Sequence, residues 1–143
     1  MKYVVHFAKK YVLSTIGSNV SYNAVTIPIY GDVPATAQEP YMVVTSVSQD
    51  DIDRNSDNFS YDAVIQLEVV TKFGRGRQNS SISEQIMSDA MQLIRPLPSS
   101  TLDMSADNLS NYSIELVNTT MLKEEYPNDI YVRLISDIGF RIE

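Results

Sequence analysis

The clearest alternation of hydrophobic and polar positions lies within residues 57–73. Tyr61, Ala63, Ile65, Leu67 and Val69 share one parity, while Asp62, Gln66, Glu68 and Lys72 share the other. A period of two places these sets on opposite faces of a pleated strand. At about 3.3 Å per residue the strand spans about 40 Å, far beyond the usual five or six residues. A small core does not need that length, so one end is expected to project beyond the body and meet another subunit.

The rest of the chain arranges itself around this strand. Val5, Ala8, Val12 and Ile16 fall at helical spacing and predict an amphipathic helix over 2–16, stopped by Gly17-Ser18-Asn19. Residues 25–30 read as a short strand in which Pro28, lacking an N–H, belongs at an edge or bulge. A turn at Gly31–Pro34 and a polar loop lead to a strand over Tyr41–Ser48, apolar on both parities and expected to be covered on both faces near its start. Residues 49–58 read as a connecting loop, and Gly74-Arg75-Gly76-Arg77 ends the long strand.

Ser81 and Glu84 then have the capping-box spacing, with Ser81 as N-cap. Ile82, Ile86, Ala90, Leu93 and Ile94 form the apolar stripe of a second helix, closed by Pro96 and Pro98. After a polar connector over 96–110, Tyr112, Ile114 and Leu116 begin a strand directed toward Met121. Pro127-Asn128-Asp129 turns the chain, and alternation from Ile130 to Ile142 makes the final strand. The predicted fold is α+β: a mostly antiparallel twisted sheet with an N-terminal helix and a second helix packed on it, in one domain over 1–143.

Composition narrows the chemistry. With no cysteine there is no disulfide framework, thiolate nucleophile or thiolate metal site. No apolar run reaches the roughly 18 residues of a membrane span, and Lys9-Lys10 interrupt the apolar centre a signal peptide needs. The expected setting is therefore cytoplasmic, without a membrane partner. Eleven basic against eighteen acidic residues give a formal charge of −7. Freestanding nucleic-acid binding neutralises phosphates with Lys and Arg, so this balance argues against it. A negative wall does let DNA slide past without sticking.

Candidate sites are few. Asp51, Asp53, Asn55, Asp57 and Asp62 have the spacing of an EF-hand loop, but Ser56 stands where glycine is needed and Asp62 where glutamate is usual. A solvated acidic loop is the preferred reading, with no metal and no cofactor. Lys72, Arg75 and Arg77 around two glycines form a basic tip that lacks either phosphate-loop motif. His6 is the only histidine, with no nucleophile elbow to serve. Asp62 and Glu68, six residues apart on one strand face, cannot converge as paired carboxylates. An enzyme is not expected. The candidate interface or lumen residues are Asp51, Asp53, Arg54 and Asp57 at one end of the long strand, and Lys72, Arg75 and Arg77 at the other.

Pro40-Tyr41-Met42-Val43-Val44, followed after an acidic loop by Phe59-Ser60-Tyr61-Asp62 and the long strand, resembles the tail-completion proteins of tailed bacteriophages, also called tail terminators or tail-to-head joining proteins. The shared order covers nearly the whole chain: N-terminal helix, short strand, Pro-Tyr-initiated strand, long strand ending in a basic glycine loop, capped helix, two C-terminal strands. The resemblance implies a structural virion protein, assembled in the host cytoplasm into a homo-oligomeric ring, a hexamer or dodecamer. The ring would sit between the connector or portal side and the tail, contact the neighbouring proteins there, and enclose double-stranded DNA without sequence-specific binding. No catalytic residue is implied. Two rivals are a small cytoplasmic binding or regulatory α+β protein, and a hydrolase with dispersed carboxylates.

Overall fold

A computed structural model of the chain describes residues 1–53 and 57–143, Asp53 by its backbone alone. Helix α1 spans Val5–Ile16, and its buried residues are Val5, Ala8, Val12 and Ile16, the set the periodicity predicts. Its N-cap residue, Val4, offers no side-chain acceptor, so the orphan N–H groups of the first turn need another partner. Gln49 supplies it from far along the chain. Its Oε1 accepts from the backbone N–H of Val4 at 2.6 Å and of Val5 at 3.2 Å, while Nε2 donates to the Lys2 carbonyl at 2.8 Å. The helix ends at Gly17, whose N–H donates to the Leu13 carbonyl at 2.9 Å; a Cβ on Gly17 would lie 2.9 Å from that same oxygen.

Gln49→Leu keeps the size of the side chain and removes both polar groups. It should cost about 1–3 kcal/mol, the range for orphaning partly buried backbone groups. Amide exchange of residues 4–8 should accelerate well ahead of the sheet. Unchanged protection there would show that water satisfies the helix start.

Strands β1 (Ser21–Tyr22) and β2 (Val25–Thr26) form an antiparallel hairpin turned by Asn23 and Ala24, both at positive φ. The single strand expected over 25–30 is thus divided at Pro28. Strand β3 (Ile29–Tyr30) resumes beyond it and pairs in parallel with β4 (Tyr41–Asp53), while the Pro28 carbonyl accepts from the Met42 N–H at 2.8 Å. β4 continues past its expected end at Ser48, so part of the predicted acidic loop is strand. Residues 49–53 pair with β5 (Phe59–Gly74) from Gln49↔Ala63 to Asp53↔Phe59, across a bulge between Ser46 and Ser48. A backbone ladder forms this hairpin arm without needing apolar side chains. On β4, Met42 and Val44 are buried while Tyr41 and Val43 are half-buried, so only one face of its start is fully covered.

Helix α2 spans Ser80–Ile94 and is capped by Asn79, whose Oδ1 accepts from the Ser81 N–H at 3.1 Å. Ser81 is not the N-cap, because Asn79 is an equally good cap two residues earlier. The buried face is Ser83, Ile86, Met87, Ala90 and Ile94, with Leu93 turned outward at 36% exposure. Ser83 can occupy the core because its hydroxyl donates to the Ser80 carbonyl at 2.9 Å. The connector holds a 3-10 turn at Ser105–Asp107. Asp107 accepts from Lys10 Nζ at 2.8 Å and the Tyr11 hydroxyl at 2.7 Å. These hydrogen bonds lower the Asp107 carboxyl below its usual range and raise the Tyr11 phenol.

Strands β6 (Asn111–Glu125) and β7 (Asp129–Ile142) complete a five-stranded sheet in the order β3-β4-β5-β7-β6, antiparallel except at β3/β4. β5 lies at its centre and pairs with β7 from Tyr61↔Ile142 to Gly74↔Asp129. It does not project alone, as its length predicts; its neighbours are long as well, so the whole sheet is long. One face carries Tyr61, Ala63, Ile65, Leu67 and Val69 beside Leu134, Ile138, Phe140 and Ile142, in one core with the apolar sides of both helices. Neither helix shares that core from the opposite face, where the polar parity of β5 lies.

Candidate assembly surfaces

Charged residues lie at both ends of β5, about 50 Å apart at 3.3 Å per residue. At the far end, Asp50 and Asp51 are exposed near the end of β4, and Asp57 is exposed just before β5. The Asp53 side chain and Arg54, both candidates from sequence, lie outside the described residues, as does Asn55. Of the EF-hand spacing, only Asp51, Asp57 and Asp62 have described side chains. Asp51 and Asp62 stand on paired strands, and Asp62 accepts from Arg141 Nε at 3.0 Å and Nη2 at 3.3 Å. Among the described residues no three His, Asp or Glu side chains form a group that could hold a metal.

At the near end, Arg77 N–H donates to the Gly74 carbonyl at 3.0 Å, closing a turn in which Gly76 has φ +77°. Only glycine takes that conformation without strain. Arg75 and Arg77 are exposed and have no ion pair among the described residues. Lys72 sits behind them, with Nζ 3.8 Å from Asp129 and 5.8 Å from the Tyr131 ring centroid. The structure therefore brings Lys72, Arg75 and Arg77 to one pole and places Asp51 and Asp57 at the other.

Between the poles, the outer sheet face is a field of matched charges. Arg133 Nη1 donates to Glu68 at 2.9 Å, and its Nε lies 3.1 Å from Glu124. Burial acts to lower the Arg133 pKa, but the hydrogen bond and charge of Glu68 outweigh it and raise the guanidinium further. The hydrogen bond from Arg141 to Asp62 raises Arg141 in the same way. Asp62 and Glu68, unable to meet each other, are each taken by an arginine of β7. A shallow notch of about 180 Å³ opens over Gly139, lined by Asp62, Val64, Ser113, Glu115 and Arg141. His6 is exposed and stacks on Tyr3 at 5.6 Å between centroids.

The surface that sequence reasoning did not single out is β6. Tyr112, Leu116, Val117, Met121 and Leu122 are all exposed on it. The available signal was apolar residues on both parities of 112–122, more than one buried face can absorb.

No protein-family model matches this chain, and no curated protein matches it. Among solved structures, it is similar to a chain in the virion of a native gene transfer agent particle. The two share 11% identity at a TM-score of 0.53, over 91% of this chain and 84% of that one. At this identity the likeness shows a common fold.

Proposed function

We propose that this protein is a structural component of a phage-like virion, and that its copies form a ring at the head–tail junction of a tailed bacteriophage. The ring completes the tail and encloses the DNA channel. The observation that carries the reading is the fold shared over 91% of the chain with a component of a gene transfer agent virion. The tail-completion resemblance narrows the place in the particle to the junction. A protein of this role performs no catalysis and holds no cofactor.

The charge distribution supports a conduit. A formal charge of −7 per copy gives a ring whose wall repels DNA and lets it pass, without sequence-specific contact. The two poles of β5, Asp51 with Asp57 and Lys72 with Arg75 and Arg77, face the lumen or the neighbouring connector-side and tail proteins. Cyclic closure needs two different patches on each subunit, and opposite charge at opposite poles supplies a difference of that kind.

Light scattering across a concentration series, with negative-stain images of the same samples, tests the ring. Hexameric or dodecameric rings with a central hole are the expected result at high concentration. A protein that never assembles beyond a monomer or a pair would sink the ring and favour a small binding protein.

A further inference from the structure

The notch of about 180 Å³ on the polar face of the sheet has Gly139 as its floor, in the interior of β7. Glycine weakens the inside of a strand, and there it often marks a place where another group approaches closely. Gly139 has no left-handed φ that would call for glycine. A Cβ there would lie 3.3 Å from Val117 Cγ2 and 3.4 Å from Glu115 Cγ, so a larger side chain would close the notch.

Carboxylates dominate its surroundings. Asp50 stands opposite Asp62 across the β4–β5 ladder, and Glu115 stands opposite Gly139 across β6–β7. Like charges set opposite each other on one face oppose strand pairing, and an added cation relieves them. Arg141 is the cation lining the notch, and Asp62 already engages it. Asp50 and Glu115 are exposed and make no ion pair among the described residues. These carboxylates are not gathered as a metal site. Spread acids suit the broad, many-donor guanidinium group better than a point charge.

The chain itself carries two such groups. Arg75 and Arg77 are exposed on the turn beyond β5, also without an ion pair among the described residues. They cannot serve their own notch. Val64 pairs with Gly139, and from Val64 to Gly74 the strand runs about 33 Å, beyond an arginine's reach.

We infer that the Arg75–Arg77 turn of one copy docks in the Gly139 notch of a second copy, its guanidinium groups set against Asp50, Asp62 and Glu115. The contact joins two different patches, so it is head-to-tail and closes only by rotation into a ring. The inference rests on the ring reading, to which it supplies the contact between neighbours.

Two deficient chains test the contact apart from the ring. Arg75→Ala with Arg77→Ala empties the turn of charge and keeps the notch. Asp50→Lys with Glu115→Lys reverses the notch and keeps the turn. All four positions are exposed, and circular dichroism checks that each chain is folded. In sedimentation equilibrium each variant should self-associate about tenfold more weakly than wild type, or less still. Mixed in equal amounts they should form a one-to-one pair, because the mixture offers an intact turn to an intact notch. Glu84→Lys with Asp89→Lys, exposed on α2, changes the net charge equally and should associate as wild type does. A mixture that stays monomeric overturns the inference. So does a notch variant that associates like wild type; if it also forms rings, the junction reading stands without this contact. A one-to-one pair from the mixture, with wild type growing only into open chains, supports the contact and sinks the ring.

Discussion

Replacing Phe140 by alanine should cost about 3–5 kcal/mol of folding stability, the range for emptying a fully buried aromatic site. Phe140 is 1% exposed and is among the largest fully buried side chains. It stands opposite Ala63 on β5 and Ile114 on β6, so its ring fills space that the small Ala63 leaves and ties the edge strand to the centre of the sheet. The helices on that face are already docked through residues such as Ile86 and Val12, which leaves little freedom for collapse into the void. Against a typical total of about 5–15 kcal/mol, this is a large fraction. In urea denaturation the midpoint should fall while the slope is unchanged. Leu116→Ala, on the exposed edge of the same sheet, should stay within about 0.5 kcal/mol. A Phe140→Ala loss under about 1 kcal/mol would contradict the placement of this face in the core.

The contrast between these residues shows what the sequence makes legible. Where a strand buries one face, burial imposes the period on the residues, and Tyr61–Val69 and Ile130–Ile142 could be read directly. The same holds for the inner face of α1. Residues 49–52 gave no such sign, because their strand is held by backbone pairing with β5 and none of their side chains is buried. The β1–β2 hairpin was hidden for a related reason: Ala24 at φ 63° is not a residue that announces a left-handed turn. Gln49 is a tertiary cap, and its role depends on where β4 passes the start of α1. In the candidate site, charge was visible in sequence and its position at the poles followed from strand order. That β6 remains uncovered is a property of the whole sheet, since the same apolar residues would be core if another strand followed.

Arg75→Glu with Arg77→Glu should abolish ring assembly while leaving the subunit folded. Both side chains are exposed beyond the end of β5 and make no ion pair within the described chain, so folding stability should move by no more than about 0.5 kcal/mol. Assembly is another matter. Each reversal takes two units from the formal −7, giving −11, and does so at the one pole where basic residues lead. Subunits of like charge must approach closely to close a ring, and the turn offers the exposed positive charge with which to meet an acidic neighbour. At physiological salt the screening length is about 8 Å, so the effect acts at contact distance and not across the ring. Negative-stain images of the variant, taken at concentrations where wild type gives rings, should show none, while circular dichroism still reports a folded subunit. Intact rings in the variant would remove the basic turn from the assembly interface and leave the lumen as its only candidate place.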